Sequence, residues 1–437
     1  MNVLVMVLAG GNGKRLYPLT RDRAKPAVPF GGIYRIIDFT LSNCINSGLR
    51  NILVLTQYKS DSLSRHIRRG WRLFDSEFGE VYVVPPQQRI GAEWYRGTAD
   101  AVCQNLHTIE RGDCDYVIIL AGDHIYKMDF AKMLDFHVER RAHATVGAVE
   151  VGLGGASSYG IIEVNAEQRI IGFEEKPESP KNIPGKVESA FASMGIYIFN
   201  KNELINALME DTNAGDSSHD FGGDIIPKMI EKRAVYAYNF KDENMKEAKY
   251  WRDVGTLDAY FEANMDLVEI DPVLNLYDLN WPIRTCLRQY PPPKFVFARE
   301  EEDRMGFALD SIVSSGSIIR GGRVNRSILS PGVRINSWSD VNESILFEEV
   351  KVGRGAKIRR AIIDKGVRIP EGMEIGYDPE EDRKRFMVSQ GGVIVIPKEE
   401  DLSHLAKIER PLSYPKAPLE KSIESIGAEK SMVIERG

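Results

Sequence analysis

Near its amino terminus the chain carries the stretch Leu8-Ala9-Gly10-Gly11-Asn12-Gly13-Lys14-Arg15-Leu16. Its first residue is the last of a run of apolar residues at 3–8. Such a run is typical of a buried strand, and glycines directly after it let backbone N–H groups approach phosphate oxygens. Two cations within the stretch and Lys25 beyond it lie where a triphosphate would be bound. The stretch is neither a Walker A loop nor a full dinucleotide fingerprint, because Leu16 replaces the third glycine. It predicts a phosphate cradle, although a plain strand-to-helix turn fits the same pattern.

Short β-rich runs alternate with helical stretches from residue 1 to about 265. This alternation predicts an α/β domain with a mostly parallel sheet. Ligands bind beyond the carboxyl ends of strands in such sheets, and both the glycine-rich loop and Gly122-Asp123 fall at such an end. The predicted strands are 3–8, 51–56, 116–121, 144–151, 194–199 and 235–240, and the predicted helices are 60–72, 99–111, 129–141 and 258–268.

A Pro-rich passage at 281–293 ends this alternation, and apolar residues then recur at a spacing of 17. The inward positions lie about six residues apart, which is typical of a hexapeptide β-helix with three-sided coils. An antiparallel sandwich is the alternative, but it would not produce registered rows. The predicted rows are Val324, Val341, Ile358 and Ile375; Ile328, Ile345 and Ile362; Val333, Val350 and Val367; and Ile318, Ile335, Val352 and Ile369.

The length of 437 residues and these patterns divide the chain into four parts. We expect a catalytic α/β domain at 1–268, a Pro-rich linker at 269–305, a β-helix of about four coils at 306–400 and a polar tail at 401–437. We expect part of the tail to be poorly ordered because of its composition.

Composition narrows the class of protein. The four cysteines form no CxxC pair, so neither a disulfide framework nor a zinc site is indicated, and a reducing cytoplasm fits best. The modest net charge of -6 argues against nucleic-acid binding, which would need a strongly basic face. No apolar stretch approaches the roughly 20 residues that span a bilayer, so we expect no membrane partner.

Two separated aspartates, Asp123 and Asp253, are candidate metal ligands. Mg²⁺ prefers one or two carboxylates together with phosphate oxygens, and the two side chains could share one ion. Taken alone, either is more often a cap or turn residue than a metal ligand. Similarly, Lys176 in Glu174-Glu175-Lys176-Pro177 could bind a sugar phosphate, although such sequences are common on surfaces.

The arginines of the helix at 60–72 fit a solvated face better than an anion site.

These motifs together resemble a known family. The glycine-rich loop, with Pro18-Leu19-Thr20 and Ala24-Lys25-Pro26, is similar to the signature of sugar-nucleotide pyrophosphorylases. Further blocks resemble bacterial glucose-1-phosphate adenylyltransferases, and the resemblance covers residues 3 to about 396. The blocks are RIIDF at 35–39, LSNC at 41–44, WYRGTAD at 94–100, GDHIY at 122–126, SSHDF at 217–221 and YWRDVGT at 250–256.

The resemblance implies a Rossmann-like nucleotidyltransferase domain, a left-handed parallel β-helix and transfer of the adenylyl group of ATP to glucose 1-phosphate. It implies a role in glycogen synthesis, a cytoplasmic homotetramer and small anionic allosteric effectors. Asp123 and Asp253 would hold Mg²⁺, while Arg15 and Lys25 would steady the triphosphate. The implied glucose 1-phosphate residues are Tyr95, Gly160, Glu175, Lys176 and Ser193, and the implied ATP contacts are Leu8, Ala9, Gly10, Gly11, Gln87 and Gln88.

One position departs from the family pattern. Many members activated by sugar bisphosphates carry Lys in the loop Phe-Gly-Gly-Lys, where this chain has Ile33. Arg35, together with Arg383 and Arg385 of the second domain, could still form an effector site for an anion. We therefore expect fructose 1,6-bisphosphate to activate weakly or not at all.

Three other functions fit part of the sequence. A uridylyl- or thymidylyltransferase would share the phosphate cradle and the aspartates. An acyltransferase β-helix would use a histidine base, but residues 300–400 contain no histidine. A catalytically silent regulatory subunit would be expected to lose magnesium or phosphate ligands, and the implied ligands are all present here.

Overall fold

A computed structural model describes residues 1–71, 80–86, 94–244, 246, 248–299 and 304–405. The strands of its amino-terminal domain are β1 (Val3–Ala9), β2 (Pro29–Phe30), β3 (Tyr34–Arg35), β4 (Asn51–Thr56), β5 (Glu80–Val84), β6 (Tyr116–Ala121), β7 (His124–Tyr126), β8 (Ala144–Gly152), β9 (Gly160–Val164), β10 (Ile170–Glu175), β11 (Ser189–Asn200), β12 (Val235–Asn239) and β13 (Trp251–Asp253). The helices are α1 (Ile36–Asn46), α2 (Asp61–Gly70), α3 (Thr98–Cys103), α4 (Leu106–Arg111), α5 (Phe130–Glu139), α6 (Leu153–Ala156), α7 (Lys201–Thr212), α8 (Ile226–Lys232) and α9 (Leu257–Met265). Short 3-10 helices cover Lys14–Leu16, Lys25–Ala27, Asp266–Val268 and Ser403–Leu405, and Phe221–Ile225 is π-helical.

The central sheet has the strand order β10-β9-β11-β6-β1-β4-β5, with β8 paired to β11 and β12. Strands β6, β1, β4 and β5 are parallel, so their carboxyl ends share one edge. Strand β11 runs antiparallel to β6, and a register shift interrupts its pairing with β8 between Ser193 and Tyr197. The predicted fold class is confirmed.

Strand β1 is buried on both faces because its side chains alternate between two cores. Leu4 and Met6 pack in the core that contains α3, α4, α7 and α8. Val5 and Val7 pack in the opposite core, with α1, α2 and α5. A strand covered by helices on both faces needs a continuous apolar run, which is what residues 3–8 provide.

The predicted helix at 99–111 is two helices, since the structure separates α3 from α4 at residues 104–105.

The carboxy-terminal domain stacks short parallel strands into three sheets, as expected for a β-helix. The sheets are ordered β14-β19-β22-β25-β28, β17-β20-β23-β26-β29 and β18-β21-β24-β27-β31-β30. The strands are β14 (Lys294–Val296), β15 (Ala298–Arg299), β16 (Arg304–Met305), β17 (Phe307–Leu309), β18 (Ile312–Val313), β19 (Ile318–Arg320), β20 (Arg323–Asn325), β21 (Ile328–Leu329), β22 (Arg334–Ile335), β23 (Asp340–Asn342), β24 (Ile345–Leu346), β25 (Lys351–Val352), β26 (Lys357–Arg359), β27 (Ala361–Ile363), β28 (Arg368–Ile369), β29 (Glu374–Ile375), β30 (Met387–Val388) and β31 (Ile394–Ile396), and the helix is α10 (Pro379–Arg385).

The first, second and fourth predicted apolar rows are paired strand to strand, with one exception, whereas Val333, Val350 and Val367 of the third row are buried directly before β22, β25 and β28. Val324 lies opposite Val341, and the row continues to Ile358 and Ile375. The fourth row was wrong at its first member, because Ile319, not Ile318, lies opposite Ile335. The first coil is one residue shorter than the others, which shifts the inward position by one and leaves Ile318 partly exposed.

The segment predicted as a linker contains structure of the second domain. Strand β14 pairs in parallel with β19, so the first sheet of the β-helix begins within 269–305. At the other end, Ile362 of β27 pairs with Val395 of β31, across an insertion that carries α10 and β30. The two domains share an apolar cluster in which Phe30 and Phe261 pack with Ile345 and Ile362.

The register correction predicts unequal effects of two neighbouring substitutions. Ile319→Ala removes a fully buried side chain and should lower the free energy of unfolding by about 2–5 kcal/mol. Ile318→Ala is the matched control and should cost clearly less, since Ile318 is partly exposed. Denaturant unfolding of the full chain measures both. Equal losses would contradict the register.

Candidate active site

A cavity of about 660 Å³ opens at the carboxyl ends of β1, β4 and β6. Its position is the one expected for a ligand site in a parallel sheet. Four predicted ATP contacts and both predicted phosphate cations line it, as does Tyr95. The described lining includes Leu8, Ala9, Gly10, Gly11, Gly13, Arg15, Lys25, Gln57, Tyr95, Thr98, Asp123, Gly195, Tyr197 and Asp220.

The loop after β1 is closed by Gly13, whose φ of 60° favours glycine. A Cβ added there would lie 3.0 Å from the Thr20 side chain. The Thr20 hydroxyl donates a hydrogen bond of 2.9 Å to the Gly13 carbonyl oxygen. The loop is therefore fixed against the chain that leads to Lys25.

The two candidate metal ligands come from distant parts of the chain and meet beside this loop. Asp123 follows β6, and Asp253 ends β13, which pairs antiparallel with β7. The pairing places Asp253 opposite His124. One ligand atom from each of Asp123, His124 and Asp253 lies within 4.8 Å of the others, so the group could hold a metal ion.

The Lys25 ammonium lies between the two carboxylates. Its Nζ is 2.9 Å from Asp123 Oδ2 and 2.8 Å from Asp253 Oδ1. Burial would lower the pKa of Lys25, but the charges of Asp123 and Asp253 outweigh it and raise the pKa above the ordinary value. Burial would likewise raise the pKa of Asp123, but Lys25 and His124 outweigh it and lower that pKa to about 2. Lys25 and Asp123 are therefore charged at neutral pH.

Arg15 extends the positive charge toward solvent. Its guanidinium lies 3.9 Å from Asp253 Oδ2, and its side chain is 70% exposed. An exposed pair at this distance contributes little to stability. The guanidinium is therefore available to an anionic ligand in the cavity.

The predicted sugar-phosphate residues gather at one end of three neighbouring strands. Gly160 of β9 pairs with Glu175 of β10, and continuing the β9–β11 register places Ser193 opposite Gly160. A Cβ on Gly160 would lie 2.8 Å from Glu175 Oε2. Lys176 is exposed, and its Nζ lies 2.6 Å from Glu175 Oε1. These four residues do not line the described part of the main cavity, unlike Tyr95.

Two of the sequence blocks form a wall of the cavity together. The Thr98 hydroxyl donates a 2.8 Å hydrogen bond to Asp220, and Ala99 N donates a 2.8 Å hydrogen bond to the His219 carbonyl oxygen. Gln57 donates to the Tyr95 carbonyl oxygen at 3.2 Å. Sequence reasoning did not single out Gln57 or Asp220, although Gln57 directly follows β4 and its carboxyl-end position was a usable signal.

The predicted effector residues do not belong to the described lining of this cavity. Gln87 and Gln88 lie outside the described residues. Arg35 lines a second cavity of about 300 Å³, together with Ile33, Arg69, Arg288 and Glu348. Burial lowers the pKa of Arg35, against the raising effect of Glu348 and Asp38.

The other two predicted effector residues lie on α10. Arg385 donates a 3.0 Å hydrogen bond to Asp382, and Arg383 is exposed. Within the described lining of the second cavity, neither accompanies Arg35. Of the three predicted effector arginines, the described lining of the second cavity therefore includes Arg35 and neither of the other two.

Comparison with known proteins agrees with this geometry. Residues 4–270 match the family model described as nucleotidyl transferase, and residues 291–396 match one described as GlmU-like, C-terminal hexapeptide. The chain is 53% identical to glucose-1-phosphate adenylyltransferase of Koribacter versatilis over 92% of this chain and 97% of the relative. It is 56% identical to the enzyme of that name from Rhodopirellula baltica, over 91% and 90%. The chain belongs to the glucose-1-phosphate adenylyltransferases.

Membership of the glucose-1-phosphate adenylyltransferases confirms the predicted enzyme class, a nucleotidyltransferase. A third relative, glucose-1-phosphate adenylyltransferase 2 of Vibrio cholerae, is 51% identical over 92% of this chain and 99% of its own length. Both domains are therefore shared with the family. Among the helices that the structure describes, none has the length and apolar character needed to cross a bilayer.

Proposed function

We propose that the chain transfers the adenylyl group of ATP to α-D-glucose 1-phosphate and releases ADP-glucose and pyrophosphate. A phosphate oxygen of the sugar attacks the α-phosphorus, and the bond from that phosphorus to the bridging oxygen of pyrophosphate breaks. The observation that carries the proposal is the charged group of Lys25, Asp123 and Asp253 beside a glycine-rich loop in the main cavity. The names of the relatives support the choice of substrates.

In this proposal the rate enhancement comes from positioning the two substrates and from neutralising the charge on their phosphates, since the attacking phosphate needs little proton transfer. The backbone of residues 8–11 would bind ATP, with Gln87 and Gln88 as further proposed contacts. Arg15 and Lys25 would neutralise charge on the triphosphate. Lys25 is held in place by two ion pairs before substrate arrives, which reduces the reorganisation needed in the transition state.

The glucose 1-phosphate would bind along the adjoining strand ends. Tyr95, Gly160, Glu175, Lys176 and Ser193 are the proposed contacts. Support comes from the register that groups Gly160, Glu175 and Ser193, and from the exposed ammonium of Lys176. Gly160 leaves room that a larger residue would fill beside Glu175.

Asp123 and Asp253 would hold Mg²⁺. Two hard carboxylates whose oxygens lie close together suit this ion, and Lys25 lowers the pKa of Asp123. When bound, the ion supplies positive charge that stabilises the negative charge developing on the phosphates. The protein residues keep the two carboxylates together through the β7–β13 pairing.

A nucleotide panel tests the choice of substrate. With glucose 1-phosphate and Mg²⁺, pyrophosphate release should be fastest with ATP and much slower with UTP, dTTP and GTP. Faster release with UTP or dTTP would favour the uridylyl- or thymidylyltransferase alternative. No release with any of the four would favour a catalytically silent regulatory subunit.

Asp123→Asn should abolish most of kcat while the fold survives. The change removes one carboxylate from the metal site, and a single such charge interaction is worth several kcal/mol of barrier. Asp115→Asn is the matched control, because Asp115 is at the opposite end of β6 and bonds to Asn2 N. Pyrophosphate release and thermal unfolding are measured for both. Near-normal turnover of the Asp123 variant would refute its role.

We also propose that the second cavity binds a small anionic effector. Its described lining carries Arg35, Arg65, Arg69 and Arg288, and Ile33 occupies a position where a lysine would add charge. Arg383 and Arg385 remain proposed contributors, although they do not belong to the described lining of the cavity.

Fructose 1,6-bisphosphate should activate the protein weakly or not at all, since Ile33 cannot pair with a phosphate. Ile33→Lys should lower the concentration needed for activation, because it adds a cation beside Arg35. Initial rates at increasing bisphosphate concentration measure both. Strong activation of the wild-type protein at micromolar concentrations would contradict the expectation.

We propose further that the protein is a cytoplasmic homotetramer acting in glycogen synthesis. Exposed apolar side chains in the segment between the domains, among them Ile270, Leu279 and Leu287, support association with other copies. All four cysteines are unpaired, as a reducing compartment would favour. Light scattering of the purified protein would test the tetramer.

A further inference from the structure

The segment from Thr20 to Lys25 joins two parts of the candidate active site. At its start, the Thr20 hydroxyl donates a hydrogen bond to the carbonyl oxygen of Gly13, in the loop after β1. At its end, the Lys25 ammonium contacts both Asp123 and Asp253. The position of this segment therefore determines where Lys25 lies relative to the loop and to the metal ligands.

The middle of this segment is attached to the β-helix. One terminal nitrogen of Arg23 contacts both carboxylate oxygens of Asp364, at 2.9 and 2.8 Å. The two side chains are only 5% and 1% exposed. Arg21 adds a second contact, since its guanidinium donates a 2.6 Å hydrogen bond to the Lys398 carbonyl oxygen.

Asp364 is itself fixed by the coil that carries it. It directly follows β27, and its backbone N–H donates a 2.9 Å hydrogen bond to the Ile396 carbonyl oxygen of β31. Its Oδ1 accepts a 2.7 Å hydrogen bond from Lys365 N. The shared apolar cluster of the two domains also includes Ile362, two residues away. The acceptor of Arg23 is therefore fixed by the backbone pairing of β27 with β31.

A buried ion pair contributes little net stability, because the loss of hydration offsets most of the attraction between the charges. It does restrict geometry, since a charge without its partner would be costly in this environment. Arg23 precedes Lys25 by two residues, and the 3-10 helix Lys25–Ala27 begins directly after Ala24. A displacement of Arg23 would be transmitted to Lys25 over one residue of backbone.

We propose that Asp364 of the β-helix, acting through Arg23, is a positioning residue for Lys25. The second domain thus completes the active site of the first without contacting substrate. This inference rests on the proposed adenylyl transfer. The wild-type rate tests that function, whereas only the ratio of variant to wild-type rates tests the role of Asp364.

The first experiment compares two buried aspartates of the β-helix, each with an arginine partner. Asp364→Asn should lower kcat about 10- to 100-fold, as a displaced catalytic group does, with KM for ATP changed less than about twofold. Asp382→Asn is the matched control, because Asp382 is 1% exposed, pairs with Arg385 and lies on α10. It should lose thermal stability but keep kcat, measured without effector. Equal kcat values for the two variants would overturn the proposal.

A second variant separates positioning from stability. Arg23→Met combined with Asp364→Leu removes both charges at similar volume, and such replacements are often neutral or stabilising. The double variant should unfold near the wild-type temperature and still show the reduced kcat. Restoration of kcat would overturn the proposal, since the pair would then be dispensable for position. Failure to fold would also overturn it, because the pair would then serve stability.

Discussion

A buried ammonium needs counter-charges, and this requirement organises the catalytic domain around Lys25. The two carboxylates that satisfy it come from the end of β6 and from the β7–β13 ribbon, so three segments far apart in sequence must meet. Removing Lys25 would leave the two carboxylates close together with no cation between them. The same interaction therefore holds the site together and keeps Lys25 and Asp123 charged.

The β-helix acts on this arrangement through two kinds of contact. The apolar cluster that contains Phe30, Phe261 and Ile345 joins the domains without directional preference. The Arg23–Asp364 pair adds direction, because it fixes one side chain of the segment from Thr20 to Lys25 to one point on a coil. A stack of coils is stiff along its axis, since every strand is hydrogen-bonded to its neighbours. The second domain is thus suited to be a rigid reference for the first.

Sequence predicted the features that depend on local pattern. Strands β1, β4 and β6 were predicted almost to the residue because both faces are buried, and the apolar rows followed from the 17-residue period. Ile319 was missed because the first coil is one residue short, which a fixed period cannot reveal. The register shift between β11 and β8 near Gly195 and the break between α3 and α4 depend on tertiary contacts. The sequence predicted that Lys25 binds phosphate. Its position between two aspartates could be seen only in the folded chain.

The antiparallel strand β30 has a consequence for the behaviour of the molecule in solution. It covers β31 at the end of one sheet of the solenoid, in the direction opposite to the coils beneath it. An uncovered parallel edge would offer backbone groups to the first coil of another molecule and could seed open-ended fibres. A two-residue strand of reversed direction is a poor template for such addition. Strand β30 thus limits the addition of further molecules at this end of the β-helix. Association with other molecules is then left to the sides of the molecule.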